Sequence, residues 1–220
     1  LATTGSLTAE NLLLKTFDLT HSAGKARVED FKISEIYTSP RRLQIQGHVR
    51  ADEVDLNALL KSLSVGDIPV DLKASGDVDC GGPLLPQPKI VCVGRAHGEG
   101  LDIRTDENES SRIVRVSEFS AEGGFEISDK AVTYNAKAFA GKDQGHSTGL
   151  ISYSQGFLIQ FETEGVDLSL VHQIGGLKLE GRAKVSGSTR GDSDAATFEM
   201  KAQAEQFYFE DFYLGQVQGD

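Results

Sequence analysis

The sequence predicts an all-β protein with one or two short helices, and three observations lead to that prediction. Apolar and polar residues alternate over most of the chain, which is the pattern of strands that bury one face. Glycine is abundant and proline scarce, with 24 and 5 residues among 220, a balance typical of many short strands joined by glycine turns. A strand, helix and strand unit recurs after roughly 110 residues, which favours an elongated, repetitive sheet over a closed globule.

The strands are predicted from alternation of period two. In the clearest case, residues 43–51, every odd position is apolar or small, Gly47 included, and every even position is polar. The same alternation predicts strands at 70–80, 177–185 and 198–204. Less regular patterns predict strands at 13–20, 26–36, 90–96, 113–119, 125–127, 131–138, 157–163 and 207–214. Roughly a dozen strands at this spacing leave room for little helix.

Two short segments carry helical signals. At residues 55–63 the leucines follow the spacing i, i+3, i+4 and i+7, and Asp55 is a suitable N-cap. At residues 167–174 a second helix is predicted to end at the glycine pair that follows it.

These helices mark an internal repeat within one elongated β domain, residues 1–220. Val54-Asp55-Leu56 and Val166-Asp167-Leu168 each follow one alternating strand and precede another strand with a central glycine. The repeat covers approximately 43–82 and 155–187. We expect the two copies to lie along one sheet.

The two cysteines, Cys80 and Cys92, flank a glycine- and proline-rich turn region at 81–88 that brings two strands side by side. They are interpreted either as a disulfide or as a pair of buried free thiols, because two cysteines alone do not fix the redox compartment.

Charge and hydropathy limit the classes of partner. Lys and Arg number 22 against 33 Asp and Glu, a net charge of −11, which disfavours binding to nucleic acid. No apolar run reaches the roughly 18 residues of a membrane span. Because the chain opens at Leu1 without a leader, we expect an excised fragment or a processed chain, with any membrane contact made by parts outside it.

No catalytic site or metal site is predicted. Gly145 to Gly149 matches the G-x-S-x-G nucleophile elbow around Ser147, with Asp167 and His172 following in the nominal order. The alternating strands and helices of a hydrolase fold are absent, however, so the segment is interpreted as a polar glycine turn. The five histidines show no ligand spacing, and the acidic residues at 102–109 lack the EF-hand pattern. We therefore expect a non-enzymatic protein without a cofactor or a metal.

Four features together resemble the AsmA/TamB superfamily of Gram-negative envelope proteins, over about residues 43–220. They are the Val-Asp-Leu helix after an alternating strand, the glycine-centred strand that follows it, the turn at 191–194 and the aromatic run at 206–214. The resemblance implies an elongated, curved antiparallel sheet folded into an apolar trough, the β-taco form. It further implies a periplasmic location with an inner-membrane anchor, and a role in phospholipid transport or outer-membrane assembly, with lipid acyl chains and outer-membrane assembly proteins as partners.

A lipid-conducting trough needs one apolar face along consecutive strands and a wet face behind it, which alternating antiparallel strands supply. The residues predicted to line it are Leu43, Ile45, Val49, Leu72, Val78, Val91, Val93, Ile159, Phe161, Leu177, Leu179 and Val185. The alternative is that the same residues fill the core of a structural or adhesive β-solenoid or sandwich that binds protein partners through its edges and loops.

Overall fold

The structure, a computed structural model, describes residues 4–8, 10–37, 42–62, 70–104, 112–170, 178–192 and 195–219. It confirms the all-β class: the chain forms a single open, curved sheet of 14 strands. The strands are β1 (Gly5–Leu7), β2 (Asn11–His21), β3 (Gly24–Ser34), β4 (Gln44–Asp55), β5 (Val70–Pro83), β6 (Lys89–Arg104), β7 (Arg112–Ser128), β8 (Ala131–Ala140), β9 (Asp143–Ser152), β10 (Gly156–Thr163), β11 (Val166–Asp167), β12 (Leu179–Gly191), β13 (Ala196–Phe209) and β14 (Phe212–Gly219).

The sheet is an antiparallel meander, in which chain neighbours are also sheet neighbours from β1 to β10 and from β12 to β14. Strand β10 pairs with β12, and the short β11 adds to β12 beside it. Several connecting turns are fixed by a side-chain oxygen that accepts a backbone N–H two or three residues further on. Ser128 does so for Lys130 and Ala131, and Ser152 for Gln155. Short turns of this kind keep neighbouring strands in a fixed register.

The two helices follow β4 and β11. Helix α1 spans Leu56–Ser62, and the Asp55 carboxylate accepts the N–H of Ala58 at 2.9 Å, as expected of an N-cap. The second helix is a 3-10 helix, Leu168–Leu170. The remaining residues of the two predicted helices, 63 and 171–174, lie outside the described residues.

The sheet has one apolar face and one polar face, because side chains alternate along each strand. The pairings Val28 with Val49 and Val49 with Val78 place these valines on the apolar face, while their neighbours along the strands point to the polar face. Leu168 of the 3-10 helix packs on the apolar face against Ala183 and Ala204. The 3-10 helix also approaches β7, although three strands separate β7 from β12, as expected for a sheet that curves.

No second sheet covers the apolar face within the described parts of the chain. The accessible surface is 14576 Å², whereas a compact globular protein of 23.7 kDa exposes about 9,800 Å². The apolar residues that are buried in the described ranges are few: Ala23, Val28, Ile90, Cys92, Leu168, Ala183 and Ala204. A two-sheet sandwich core is therefore not the arrangement of the described strands.

Both helix-bearing segments carry the same irregularity in their strand pairing. Between β4 and β5 the register moves by one residue after the pair Ala51 and Gly76, so that Val54 pairs with Ala74. After β10 it moves by one residue in the same direction, and Val166 pairs with Ala183. Strands β2–β7 and β8–β14 follow the same order around these helices. We call them the first unit and the second unit.

One turn prediction and two strand predictions are wrong in detail. Residues 145–149, interpreted as a turn, lie inside β9, because Gly149 gives room to a ring on the next strand instead of bending the chain. The predicted strands at 113–119 and 125–127 are parts of one strand, β7. The aromatic run 207–214, read as one strand, is a hairpin whose turn is at Glu210 and Asp211.

Candidate lipid-binding face

The apolar face is built from rows of residues that pair directly across the strands. One row consists only of alanine and glycine over seven consecutive strands, β3 to β9. Its members are Ala26, Ala51, Gly76, Ala96, Ala121, Ala138 and Gly145. We call this the small-residue row. Because these side chains are short, the sheet surface is lowest along this line.

Large apolar side chains lie on one side of the small-residue row. Near the ends of the strands away from the helices, the paired residues Ile90, Ile127, Val132, Ile151 and Phe157 form a branched and aromatic row across β6–β10. The helices lie at the other ends of the strands. The small-residue row is therefore a shallow band between a raised apolar row and the helices.

Aromatic rings lie over glycines of the neighbouring strand on this face. Phe119 pairs with Gly98, and Tyr134 pairs with Gly149, and in each pair a Cβ added to the glycine would overlap the ring. Phe161 covers Gly187 in the same way. The rings fill the space that the glycines leave, so the face is smooth as well as apolar.

Two hydroxyl groups on this face, those of Tyr134 and Ser147, are hydrogen-bonded within the protein. The hydroxyls of Tyr134 and Ser147 are hydrogen-bonded at 3.0 Å, and Ser147 Oγ donates to the carbonyl of Gln160 at 3.0 Å. Ser147 lies in the middle of β9, not on a strand-to-helix turn, and its neighbour His146 bonds Asn135 on the polar face. The Asp167 carboxylate accepts from Ser169, and His172 lies outside the described residues. The described residues thus form no nucleophile elbow around Ser147.

A buried carboxylate lies beside the 3-10 helix. Asp143 is only 4% exposed, and it accepts the N–H of Asp167 at 2.6 Å and the guanidinium of Arg182 at 2.5 Å. Arg182 also donates to the carbonyl of Gly165. The Ser169 hydroxyl and N–H lower the pKa of Asp167. These bonds fix the segment before the 3-10 helix against β9 and β12.

Nine of the twelve predicted lining residues are on or beside the apolar face. Ile45, Val49, Leu72, Val78, Ile159, Phe161, Leu179 and Val185 lie on its strands, and Leu43 lies just before β4 with its carbonyl accepting the N–H of Leu84. Leu177 lies outside the described residues.

Val91 and Val93 were assigned to the wrong face. Cys92 pairs with Cys80 on the apolar face, so the residues on either side of Cys92 point to the polar face, where Val93 pairs with Asp79. Val91 and Val93 are 42% and 57% exposed. Residues 90–93 are all apolar, because Ile90 and Cys92 are apolar as well. The sequence pattern therefore does not show which of these residues lie on the apolar face.

Other residues of the apolar face were missed by the sequence analysis. Phe119, Phe125 and Ile127 line it on β7, and Tyr134 and Ile151 line it on β8 and β9. Alternation did mark β7, but its two glycines, at 123 and 124, split the pattern into two apparent strands.

Cys80 and Cys92 are joined by a disulfide that bridges β5 and β6 on the apolar face. Cys92 is 2% exposed. The disulfide links two central strands close to the turn region that was predicted at residues 81–88.

The polar face carries charged residues in register behind the small-residue row, and most neighbouring pairs among them have opposite charges. Paired residues across β4–β10 are Arg50, Asp77, Arg95, Glu122, Lys137, His146 and Glu162. Directly opposed unlike charges stabilise neighbouring strands by about 0.2–1 kcal/mol per pair. We call this the charge ladder.

Within the described ranges, no helix is long and apolar enough to cross a membrane, and no group of three or more His, Cys, Asp or Glu side chains is placed to hold a metal ion. Comparison of the chain with protein-family models, with curated proteins and with solved structures finds no match.

Proposed function

We propose that this chain shelters lipid acyl chains on the apolar face of its sheet, in support of phospholipid transport or outer-membrane assembly, without covalent chemistry. The observation that carries the proposal is a largely apolar face in a sheet with no second layer among the described strands. Apolar faces of this extent are rare on soluble proteins unless something binds to them.

The dimensions of the face suit extended chains. The main path of the sheet has thirteen strands, so at about 4.8 Å between strands it extends about 58 Å along the hydrogen-bonding direction. The small-residue row runs in the same direction. An acyl chain lying along it gains about 0.8 kcal/mol for each CH₂ group that it removes from water.

The location proposed with this function is the periplasm, with an inner-membrane anchor outside residues 1–220, as the AsmA/TamB resemblance implies. The Cys80–Cys92 disulfide supports an oxidising compartment, because disulfides are rare where thiols are kept reduced.

Native mass spectrometry of the protein purified without detergent tests the proposal. We expect phospholipid masses bound to the chain, and lipid extraction should recover two-chain phospholipids. A chain that carries no lipid, and takes up none from vesicles, would contradict the proposal.

Two valine substitutions on neighbouring strands form a matched pair for this test. Val78→Asp places a charge on the apolar face beside Gly94, whereas Val93→Asp places the same charge on the polar face beside Asp79. Lipid occupancy should fall at least fivefold in the first variant and stay near wild type in the second. Circular dichroism checks that both variants are folded, and equal losses from both would count against binding on the apolar face.

A second candidate function is a structural module that binds protein partners by strand addition. It is favoured by the exposed apolar residues of β14, the last strand of the sheet, of which Phe212 is 71% exposed. This candidate predicts a lipid-free protein whose partner binding is unaffected by Val78→Asp.

A further inference from the structure

Over four central strands, β6–β9, the small-residue row is doubled. The residue two positions along each of these strands, on the same face, is also small, so a second row lies beside the first. No side chain in the two rows is larger than serine. We call these eight residues the double row: Ala96, Ala121, Ala138 and Gly145 of the small-residue row, and Gly94, Gly123, Ala136 and Ser147 of the second row.

Larger side chains bound the second row on three sides. At its ends, Gly94 pairs with Val78 on β5, and Ser147 pairs with Phe161 on β10. Along its outer side, the paired rings of Phe125 and Tyr134 occupy the next row on β7 and β8. The second row is therefore confined to four strands, whereas the small-residue row beside it continues onto β5, β4 and β3.

The fold of the chain explains the glycines of the double row but not its four alanines. A Cβ at Gly94 or Gly123 would overlap a carbonyl oxygen of the neighbouring strand, so the backbone requires glycine there. Three of the alanines are half-buried and the fourth, Ala138, is exposed, on a face that no second sheet covers within the described ranges. Alanine is disfavoured in strands relative to β-branched and aromatic residues. Small side chains at these positions leave room for a ligand.

The two rows are spaced for two extended chains. Residues two apart on a strand are separated by about 6.8 Å, and four strands extend about 19 Å in the hydrogen-bonding direction. Carbon atoms in contact lie about 4 Å apart, so chains that follow the two rows do not overlap. The Ser147 hydroxyl needs no water in the second row, because it is bonded to Tyr134 and to the carbonyl of Gln160.

We propose that the double row holds the two acyl chains of one diacyl lipid side by side, and that Val78 and Phe161 confine the second chain to β6–β9. This inference rests on the proposed function and names the residues that select two-chain lipids over single-chain lipids. One chain in one row leaves the other row exposed to water, whereas two chains cover both rows.

Competition between a diacyl lipid and its monoacyl form tests this arrangement. The detergent-free protein is incubated with vesicles that contain equal amounts of dipalmitoyl phosphatidylcholine and monopalmitoyl phosphatidylcholine. Native mass spectrometry then gives the ratio of the two lipids bound to the chain. Wild type should hold the diacyl form in an excess of about fivefold or more.

Two leucine substitutions on β8 each fill one row. Ala136→Leu fills the second row, and Ala138→Leu fills the small-residue row. Because either change leaves room for one chain, both variants should lose the diacyl preference and still bind the monoacyl form. The control is Thr133→Leu, which adds the same side chain to the polar face of β8, opposite Glu126, and should keep the wild-type ratio. Circular dichroism checks that all three variants are folded.

The possible failures separate this inference from the proposed function. Wild type that binds neither lipid contradicts both. Wild type that binds the two forms equally, or leucine variants that both keep the wild-type ratio, overturn the two-chain arrangement and leave lipid binding in place. A change in only one of the leucine variants also overturns it, because a single row then holds the lipid.

Discussion

The two units of the sheet hold their helices in the same way but with different atoms. In the first unit the N–H of Asp55 donates to the carbonyl of Ala23 at 2.7 Å, whereas in the second the N–H of Asp167 donates to the carboxylate of Asp143. Ala23 lies directly before β3 and Asp143 is the first residue of β9, so both stand at the start of the strand that precedes the helix-bearing strand, and they are 3% and 4% exposed. What the two units share is a buried acceptor at this place.

The buried carboxylate of Asp143 requires a positive charge beside it, and the strand pairing shows which residue supplies that charge. Asp167 pairs with Arg182 as Asp55 pairs with Lys73. In each unit, therefore, a cationic residue is paired with the aspartate just after the one-residue shift in register. In the second unit the acceptor is a buried carboxylate that also binds that cation, whereas in the first unit the acceptor is an uncharged main-chain carbonyl. The difference teaches that the acceptor in the first unit needs no counter-charge, while the acceptor in the second depends on an ion pair.

The largest effect should come from removing that cation. Arg182→Ala leaves the Asp143 carboxylate buried without its charge partner. Because the Arg182 side chain is 60% exposed, we expect a loss of about 2.5 kcal/mol in the free energy of unfolding, less than for a fully buried pair. Lys73→Ala, its counterpart in the first unit, should change that free energy by less than about 0.5 kcal/mol. Urea unfolding of both variants measures the difference, and equal losses would contradict the comparison. Replacing Asp143 by alanine in the Arg182→Ala background should restore part of the stability.

The next effect tests a feature that the units share. Gly98→Ala in the first unit and Gly149→Ala in the second each drive a methyl group into the ring of the paired aromatic residue, Phe119 or Tyr134. Each should lower the free energy of unfolding by about 2 kcal/mol, measured by chemical denaturation. Gly219→Ala, which meets no atom within 4 Å, is the control. Variants as stable as the control would show that the rings move aside freely.

A smaller effect concerns the charge ladder, which crosses from one unit to the other. Arg95→Glu places three acidic side chains in a row with Asp77 and Glu122, and it should lower the melting temperature by an amount equivalent to about 1 kcal/mol. The added change Glu122→Arg should restore little of it, because the new guanidinium then faces Lys137, a pair of like charges. Because these side chains are exposed, the loss should shrink in 1 M salt. A loss that is independent of salt would point to packing instead of charge.

The smallest effect is a difference in acid sensitivity at the 3-10 helix. The pKa of Asp167 is lowered when the protein folds, so its contribution to stability is complete above the unfolded value, near 3.9, and is lost as the pH falls through the folded value. Asp167→Asn should lower stability by about 0.5 kcal/mol at pH 7 and by nothing at the acid limit. Unfolding curves from pH 7 to pH 2 measure this, and a constant difference over that range would exclude the carboxylate.

Sequence predicted much of the sheet because alternation is a local signal. It gave the face of Val49 and Val78 correctly, because the residues on either side of each valine along its strand are polar. It failed at Val91 and Val93, where apolar residues occupy both faces and only the pairing of Cys80 with Cys92 decides which side each takes. Glycine caused two of the other failures, at 123–124 and at 145–149, because a glycine inside a strand and a glycine in a turn look alike in sequence.

The sequence could not predict, for a different reason, that Ala23 and Asp143 both accept the N–H of the aspartate before a helix. These hydrogen bonds join residues 32 and 24 positions apart, and the two side chains have no chemical likeness. The Val-Asp-Leu motif marked the donor in each unit. Nothing local marks an acceptor that is a main-chain oxygen in one case and a carboxylate in the other.

The meander has a consequence for how such a protein can change in length. Every strand pairs with strands that are close in sequence. A further unit can therefore be inserted without changing the path of the existing connections. A tandem duplication of one unit inserts six strands into the main path of the sheet, and with them about 29 Å of further apolar face. The reach of the sheet is therefore a quantity that gene duplication adjusts in fixed steps.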